Sequence, residues 1–175
     1  IPSTDIIFPT GDYTEFIIIT PDENTYLTVS CQPNNGYSFV GYQDVTDNYK
    51  TLLSTANGQI KVNDVTIDKS DPTYWQIVIE AVATPTNYTI TYNLDGGSVT
   101  GNPTTYTVES EAITLKNPTK TGYTFAGWTG TGLSSASTSV TIAKGSIGNR
   151  SYVAHYTQDI VKLTSPTISG TYTYN

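Results

Sequence analysis

The heptapeptide Gly36-Tyr-Ser-Phe-Val-Gly-Tyr42 returns, 86 residues later, as Gly122-Tyr-Thr-Phe-Ala-Gly-Trp128. No other feature constrains the fold as much, because a unit that recurs must bury its own small core each time and tolerate a neighbour of its own kind. The echo reaches beyond the heptapeptide. Leu27 and Val29 precede the first copy where Ile113 and Leu115 precede the second, and Pro33 and Pro118 follow those pairs. Each copy closes on an alternating segment, Ile77 to Ala83 in the first and Tyr152 to Tyr156 in the second. Gly36 to Ala81 spans 45 residues and Gly122 to Ala154 spans 32, so the first copy carries 13 extra residues, placed between Gln43 and Tyr74.

A chain of 175 residues holding two copies reads as two units of roughly 70–85 residues each, near the small end of what a hydrophobic core sustains. Threonine is the commonest residue, tyrosine occurs 14 times and methionine is absent. Thr, Tyr, Val and Ile suit half-buried strands, which points to β structure and away from helical bundles. Only 13% of the residues are charged and the net charge is −7, so the chain has no basic footprint for nucleic acid and no polybasic segment for anionic lipid. Residues 1–86 hold 11 acids and 3 bases, against 4 acids and 5 bases in 87–175. Solubility of an exposed module accounts for that acidity, with a cation-binding or partner-steering face as the sharper alternative. No stretch approaches the ~20 apolar residues of a membrane span, and no direct membrane insertion is expected. The chain opens on Ile1, which reads as a piece of something longer.

Strands are expected over Tyr13–Thr20, Thr25–Cys31, Tyr37–Tyr42, Gln59–Val62, Val65–Ile67 and Trp75–Ala83, with turns at Pro21–Asn24 and Asn57-Gly58. Thr84-Pro85-Thr86 reads as a stiff linker, centred on 85–87 and dividing a module over 1–84 from one over 88–157. The second module gives strands at Tyr88–Leu94, Thr105–Val108, Ala112–Leu115, Tyr123–Trp128, Val140–Ile142 and Tyr152–Tyr156, a turn at Asp95-Gly96-Gly97 and one helical turn over Lys144–Asn149. Residues 158–175 are a tail or the start of a further unit, with apolar alternation at Ile160–Leu163. Cys31, alternating with Leu27 and Val29, reads as a buried small hydrophobe.

Tyr88-Thr-Ile-Thr-Tyr-Asn-Leu-Asp-Gly-Gly97, then Pro118 followed by Gly122-Tyr-Thr-Phe-Ala-Gly-Trp128, then Gly145-Ser-Ile-Gly-Asn149 and Ala154-His-Tyr156, closely resembles the Listeria-Bacteroides repeat, also called the internalin B-type B repeat. The resemblance covers 88–157 and departs at Tyr156, where the family usually has Trp. Residues 13–84 resemble a divergent copy, sharing Gly36, Tyr37, Phe39 and Gly41, with Tyr42 for the Trp, but lacking the Asp-Gly-Gly and Gly-x-x-Gly-Asn blocks. The signature positions are thus Gly36, Tyr37, Phe39, Gly41 and Tyr42 in one copy, and Gly122, Tyr123, Phe125, Gly127, Trp128, Ala154 and Tyr156 in the other. The resemblance implies small β-grasp-like modules in tandem in secreted or surface-attached bacterial proteins, without catalytic residues or cofactors. The expected fold class is therefore all-β to β-rich α+β, with two such modules and little or no helix.

No catalytic set stands out. The single histidine, His155, lies between residues that the family pattern turns inward, so it is expected to point outward, with no second His or Cys to share a metal. Asp44, Asp47, Asp64, Asp68 and Asp71, in or beside the insertion, are the calcium candidates, although their spacing matches neither an EF-hand nor a nonapeptide repeat. Tyr37, Tyr42, Tyr123 and Trp128 could stack on sugar rings. Strict alternation would place Tyr123 and Phe125 on one face and Thr124, Ala126 and Trp128 on the other, one set in the core and the other outward. Gly41 and Gly127 are expected to lie under a neighbouring side chain, most plausibly an aromatic. Lys61, Lys116 and Lys144 are the lysines considered for an isopeptide bond. Two glycosylation sequons, at Asn87 and Asn149, are discounted because the family resembled is largely bacterial. The leading expectation is a spacer or stalk joined to neighbouring domains of a longer chain. The rivals are an adhesin binding a host or cell-surface protein or glycan through 43–74 or a sheet edge, and an accessory domain of a secreted enzyme.

Overall fold

A computed structural model of the chain describes residues 4–8, 13–19, 26–70, 75–160 and 170, with side chains over 26–70, 76–160 and 170. Over these residues the protein is all-β, without an α-helix. The expected turn at Pro21–Asn24, Asp71 and most of the expected alternation at Ile160–Leu163 lie outside the described residues.

Period-two patterning explains the first repeat. In β3 (Tyr26–Cys31) Leu27, Val29 and Cys31 are buried and the residues between them are not. That strand is the centre of a sheet, pairing in parallel with β1 (Thr4–Phe8) and antiparallel with β6 (Asn57–Lys61). A second sheet runs β2-β7-β4-β5, formed by Tyr13–Ile19, Trp75–Pro85, Tyr37–Asp44 and Lys50–Leu53. Leu27, Val29, Cys31 and Ile60 of the first sheet meet Tyr42, Ile77, Ile79 and Ala81 of the second in one core, joined by Val62 and Val65. Each large aliphatic side chain so buried contributes about 1.5–3 kcal/mol.

The second repeat supplies a four-stranded sheet, β11-β13-β8-β9, and a two-stranded one, β10-β12. Their ranges are β8 Tyr88–Asn93, β9 Thr105–Tyr106, β10 Ile113–Thr114, β11 Tyr123–Gly130, β12 Thr141–Ile142 and β13 Arg150–Gln158. Asp95-Gly96-Gly97 turns the chain as expected, closed by the Gly97 N–H donating to Leu94 O at 2.8 Å.

Three local expectations fail for identifiable reasons. Asn57-Gly58 is not a turn but the start of β6, where Gly58 pairs with Val29. A Cβ at Gly58 would lie 2.8 Å from Leu53 Cδ2, the movable end of that side chain, so pairing with β3 and not the glycine's freedom sets the conformation here. Val65–Ile67 forms no strand: a 3-10 turn at Val62–Asp64 precedes it, and the Thr66 N–H is taken by the Asp44 carboxylate. Lys144–Asn149 is not helical, since Gly145 and Gly148 both adopt positive φ, +82° and +87°.

Packing divides the chain into two compact units. One comprises Ile1–Ile90, Pro103–Ile113 and Thr141–Arg150, and the other Thr91–Asn102, Thr114–Val140 and Ser151–Asn175. Thr84 and Pro85 belong to β7, where they pair with Ser38 and Tyr37.

Candidate functional site: the signature strand and its exit

The two heptapeptides build the same object. Each opens on a turn: the Tyr37 N–H donates to Asn34 O at 3.0 Å and the Tyr123 N–H to Lys120 O at 3.1 Å, with Gly36 and Gly122 at φ +88° and +77°. Each then enters a strand whose pairing slips by one residue, between Phe39 and Gly41 against β7 and between Phe125 and Gly127 against β13. The slip is a β-bulge, and it breaks alternation. Phe125 and Trp128 therefore meet, ring centroids 5.6 Å apart, as do Phe39 and Tyr42 at 5.0 Å. The sequence expectation that Phe125 and Trp128 face opposite ways is corrected by that extra residue. After the slip Tyr42 pairs with Ala81 and Trp128 with Ala154.

The bulge also corrects the reading of the glycines. A Cβ at Gly127, where φ is +138°, would lie 2.9 Å from Ser137 N, and one at Gly41 would lie 3.1 Å from Leu53 O. Backbone, not an aromatic side chain, approaches both. At Trp128 that approach is a two-way bridge, with Trp128 and Ser137 exchanging N–H to carbonyl bonds at 2.8 and 2.9 Å.

Tyr42 and Trp128 are fully buried, which removes both from a sugar platform. Each buried aromatic has its polar atom satisfied: Tyr42 OH donates to Ala56 O at 2.8 Å, and Trp128 Nε1 to Asn117 Oδ1 at 3.2 Å. Around Trp128 stand Tyr92 at 5.9 Å and Tyr152 at 6.4 Å. Burial, reinforced by Tyr152, pushes the Tyr92 phenol up to about 12. Tyr156 is half-buried, donating to Leu94 O at 3.1 Å and packing edge-on against Phe125. Of the four platform candidates Tyr37 is half-buried and Tyr123 is 37% exposed, with the Lys120 ammonium 4.6 Å above its ring.

Each repeat ends by returning to its own signature. The Gly36 carbonyl accepts from Thr86 N–H at 2.8 Å, and the Gly122 carbonyl from Asp159 N–H at 3.0 Å. Side chains repeat the contact: Ser38 Oγ lies 2.7 Å from Thr86 Oγ1, and Thr124 Oγ1 donates to Asp159 Oδ1 at 2.7 Å. The first signature is also covered by residues of the second repeat. Tyr37 OH donates to Glu109 Oε1 at 2.8 Å, and a Cβ at Gly36 would lie 2.9 Å from Val108 Cβ and 3.1 Å from Ile147 Cγ2. All these partners of the first signature belong to one compact unit.

The acidic insertion is organised by one residue. Asp44 is fully buried; its Oδ1 accepts from Thr46 N at 3.0 Å, Thr46 Oγ1 at 2.7 Å and Asp47 N at 3.3 Å, and its Oδ2 from Thr66 N at 2.6 Å. Burial alone would raise the Asp44 pKa, but the bonds from Thr66 and Thr46 outweigh it and hold the carboxyl below its ordinary value. Its oxygens are thus committed to N–H and O–H donors. The signal was present in the sequence as Asp44-Val-Thr46, an acid whose side chain accepts from the backbone two residues on. Asp47 lies 3.9 Å from Lys50 Nζ, Asp64 offers its carbonyl to the same ammonium, and Asp68 accepts from Ser70 N at 2.8 Å. Among the described residues no group of three or more His, Cys, Asp or Glu side chains comes together.

The remaining chemical groups are separate. His155 is exposed and pairs with Thr129 Oγ1 at 2.7 Å. Cys31 is buried, and burial raises its thiol pKa, which keeps it protonated and inert. Lys116 and Lys144 are exposed, the latter paired with Glu111, and Lys61 is half-exposed. A recess of about 320 Å³ is lined by Ser98, Val99, Thr100, Lys116, Asn117 and Thr119, with no carboxylate or imidazole beside its hydroxyls. It offers polar contacts, not a nucleophile with a base.

No curated protein and no solved structure matches the chain. The blocks that carry the second signature do have a counterpart: residues 88–147 match the family model of the Listeria-Bacteroides repeat domain.

Proposed function

We propose that the chain is a non-catalytic spacer segment of a surface-attached or secreted bacterial protein, holding neighbouring domains at a set separation. Listeria-Bacteroides repeats are found in surface and extracellular bacterial proteins and are generally non-catalytic. The observation that carries the reading is the joint between the repeats. Tyr37, Gly36 and Ser38 are held by Glu109, Val108, Ile147 and Thr86 within one compact unit, so the first signature is packed against segments that the second repeat contributes to that unit. A spacer needs such a joint, because a loose linker transmits no fixed distance.

A second reading, an adhesin working through the insertion, is favoured by Tyr49. This side chain is 55% exposed at the tip of the turn that Asp44 secures, and its φ of +59° is unusual for a bulky residue. The discriminating experiment is a binding screen against host extracellular proteins and glycans, with and without calcium, beside a Tyr49→Ser variant, which changes the exposed tip and leaves the core residues of 43–74 in place. The spacer reading expects silence from both folded proteins. A reproducible hit lost in the Tyr49→Ser variant would replace it with the adhesin.

A further inference from the structure

Both repeats end in the same exit geometry, yet among the described residues only the first is covered. At Gly36 a Cβ would collide with Val108 and Ile147; at Gly122 nothing among the described residues lies within 4 Å of that position. Tyr37 gives its hydroxyl to Glu109, whereas the hydroxyl of Tyr123 has no hydrogen-bond partner among the described residues and its side chain faces solvent. The chain nevertheless leaves the second repeat as it leaves the first. Asp159 returns to the Gly122 carbonyl as Thr86 returns to that of Gly36, and Thr124 holds Asp159 as Ser38 meets Thr86. Counted along the sequence from Asp159 against Thr86, Ile160 aligns with Asn87, and Val161 and Leu163 with Tyr88 and Ile90.

We propose that the Gly122–Tyr123 face is a docking site for a following repeat, a β-module of the 88–157 type joined to the chain after residue 160. The occupant presents an aliphatic pair over Gly122 and a carboxylate to the Tyr123 hydroxyl, as Val108, Ile147 and Glu109 do at the first signature. Continuity of the exit favours this assignment: Thr86 returns to Gly36 and leads straight into the repeat that covers it, and Asp159 returns to Gly122 in the same way, while Lys120, 4.6 Å over the Tyr123 ring, is itself paired with Asp95 at 3.4 Å. Such a contact is head-to-tail and does not close on itself, so it propagates along a chain of repeats. The inference rests on the spacer reading, which supplies the reason for a following repeat.

The test duplicates the second repeat within the full chain, once as residues 1–160 followed by 88–175 and once as 1–159 followed by 87–175. Hydrogen exchange is read at 122–125 of the upstream copy. Docking slows those amides at least tenfold relative to the natural chain, and Val108→Asp in the inserted copy restores the fast rate while the strands of that copy stay protected. An inserted copy that is protected while 122–125 exchanges unchanged overturns the docking site and leaves the spacer reading standing as a loosely strung array. An inserted copy unprotected in both junctions also overturns it, since the exit would then not accept a following repeat. The binding screen bears only on the spacer reading, so the two failures are separable.

Discussion

The two repeats reach one backbone design by different chemistry. Turn, bulge, buried aromatic, the phenylalanine against it and the returning exit coincide, but beyond that phenylalanine the first repeat buries Tyr42 in one core with Leu27, Val29, Ile77 and Ile79, while the second sets Tyr92 and Tyr152 beside Trp128. The first braces its signature strand with β5 and the Asp44 hydrogen bonds. Among the described residues the second has only the Ser137 bridge there. What recurs, then, is the backbone requirement at the bulge and the turn, and the space around the aromatic can be filled by aliphatics or by rings.

The sharpest break in that comparison is at the aromatic itself. Trp128→Ala should cost the second repeat about 3–5 kcal/mol, the usual range for truncating a fully buried large ring. Trp128→Tyr, which copies the first repeat, should cost clearly less, since a ring still fills most of the space and what is lost is the Nε1 bond to Asn117. Denaturant unfolding, with hydrogen exchange to assign the loss to each repeat, checks both. Equal costs would mean that the indole, not the bulged backbone, defines the unit.

Next in size is Asp44→Ala, with an expected cost of about 3 kcal/mol, because the Thr66 and Thr46 amides lose a charged acceptor inside the protein. The second repeat should be unaffected. The same carboxylate carries a pH signature. Its pKa is lowered by folding, so its contribution is complete above the unfolded-state value near ~4 and is lost as pH falls through the lower folded value. Between the wild type and Asp44→Ala the stability gap should close on acidification, and a gap constant down to acid unfolding would sink this account.

How far the sequence could be read follows from the same residues. Strands with period-two burial, such as β3, were legible because one face meets the core and the other does not. The facing of Phe125 and Trp128 was not, because a bulge is a property of pairing with β13 and leaves no mark in local alternation. Asn57-Gly58 misled for a related reason: the local turn preference was overridden by pairing with Ser30 and Val29 of β3. Asp44 was singled out for its acidity, yet its role depends on Thr66, 22 residues away, a contact that no local pattern announces. The joint was least visible of all, because Val108 and Glu109 stand outside every quoted block, and Ile147, inside the Gly145–Asn149 block, bears no local mark of its partner at Gly36.

That joint makes a matched pair of glycine substitutions informative. Gly36→Ala and Gly122→Ala share the backbone strain of a positive φ, about 1–2 kcal/mol. Only the first adds a collision, with Val108 Cβ at 2.9 Å. Gly36→Ala should therefore be the more destabilising by about 1 kcal/mol and should speed exchange at 108–109, whereas Gly122→Ala should leave that segment as it was. Equal effects at both sites would deny that the first signature is packed against the second repeat.

The smallest contrast isolates one hydrogen bond. Tyr37→Phe deletes the donor to Glu109 and keeps the ring, so the loss should be about 0.5–1 kcal/mol, toward the lower end because the pair is exposed. Tyr123→Phe removes a hydroxyl without a described partner and should be silent in the natural chain. In the chain with the duplicated repeat the two substitutions should become alike, since Tyr123 then meets the inserted copy's counterpart of Glu109. A double-mutant cycle between Tyr123→Phe and Glu109→Gln of the inserted copy measures that coupling directly. Coupling close to that of Tyr37 with Glu109 in the natural chain would make the joint a repeating contact; no coupling would confine it to the first pair of repeats.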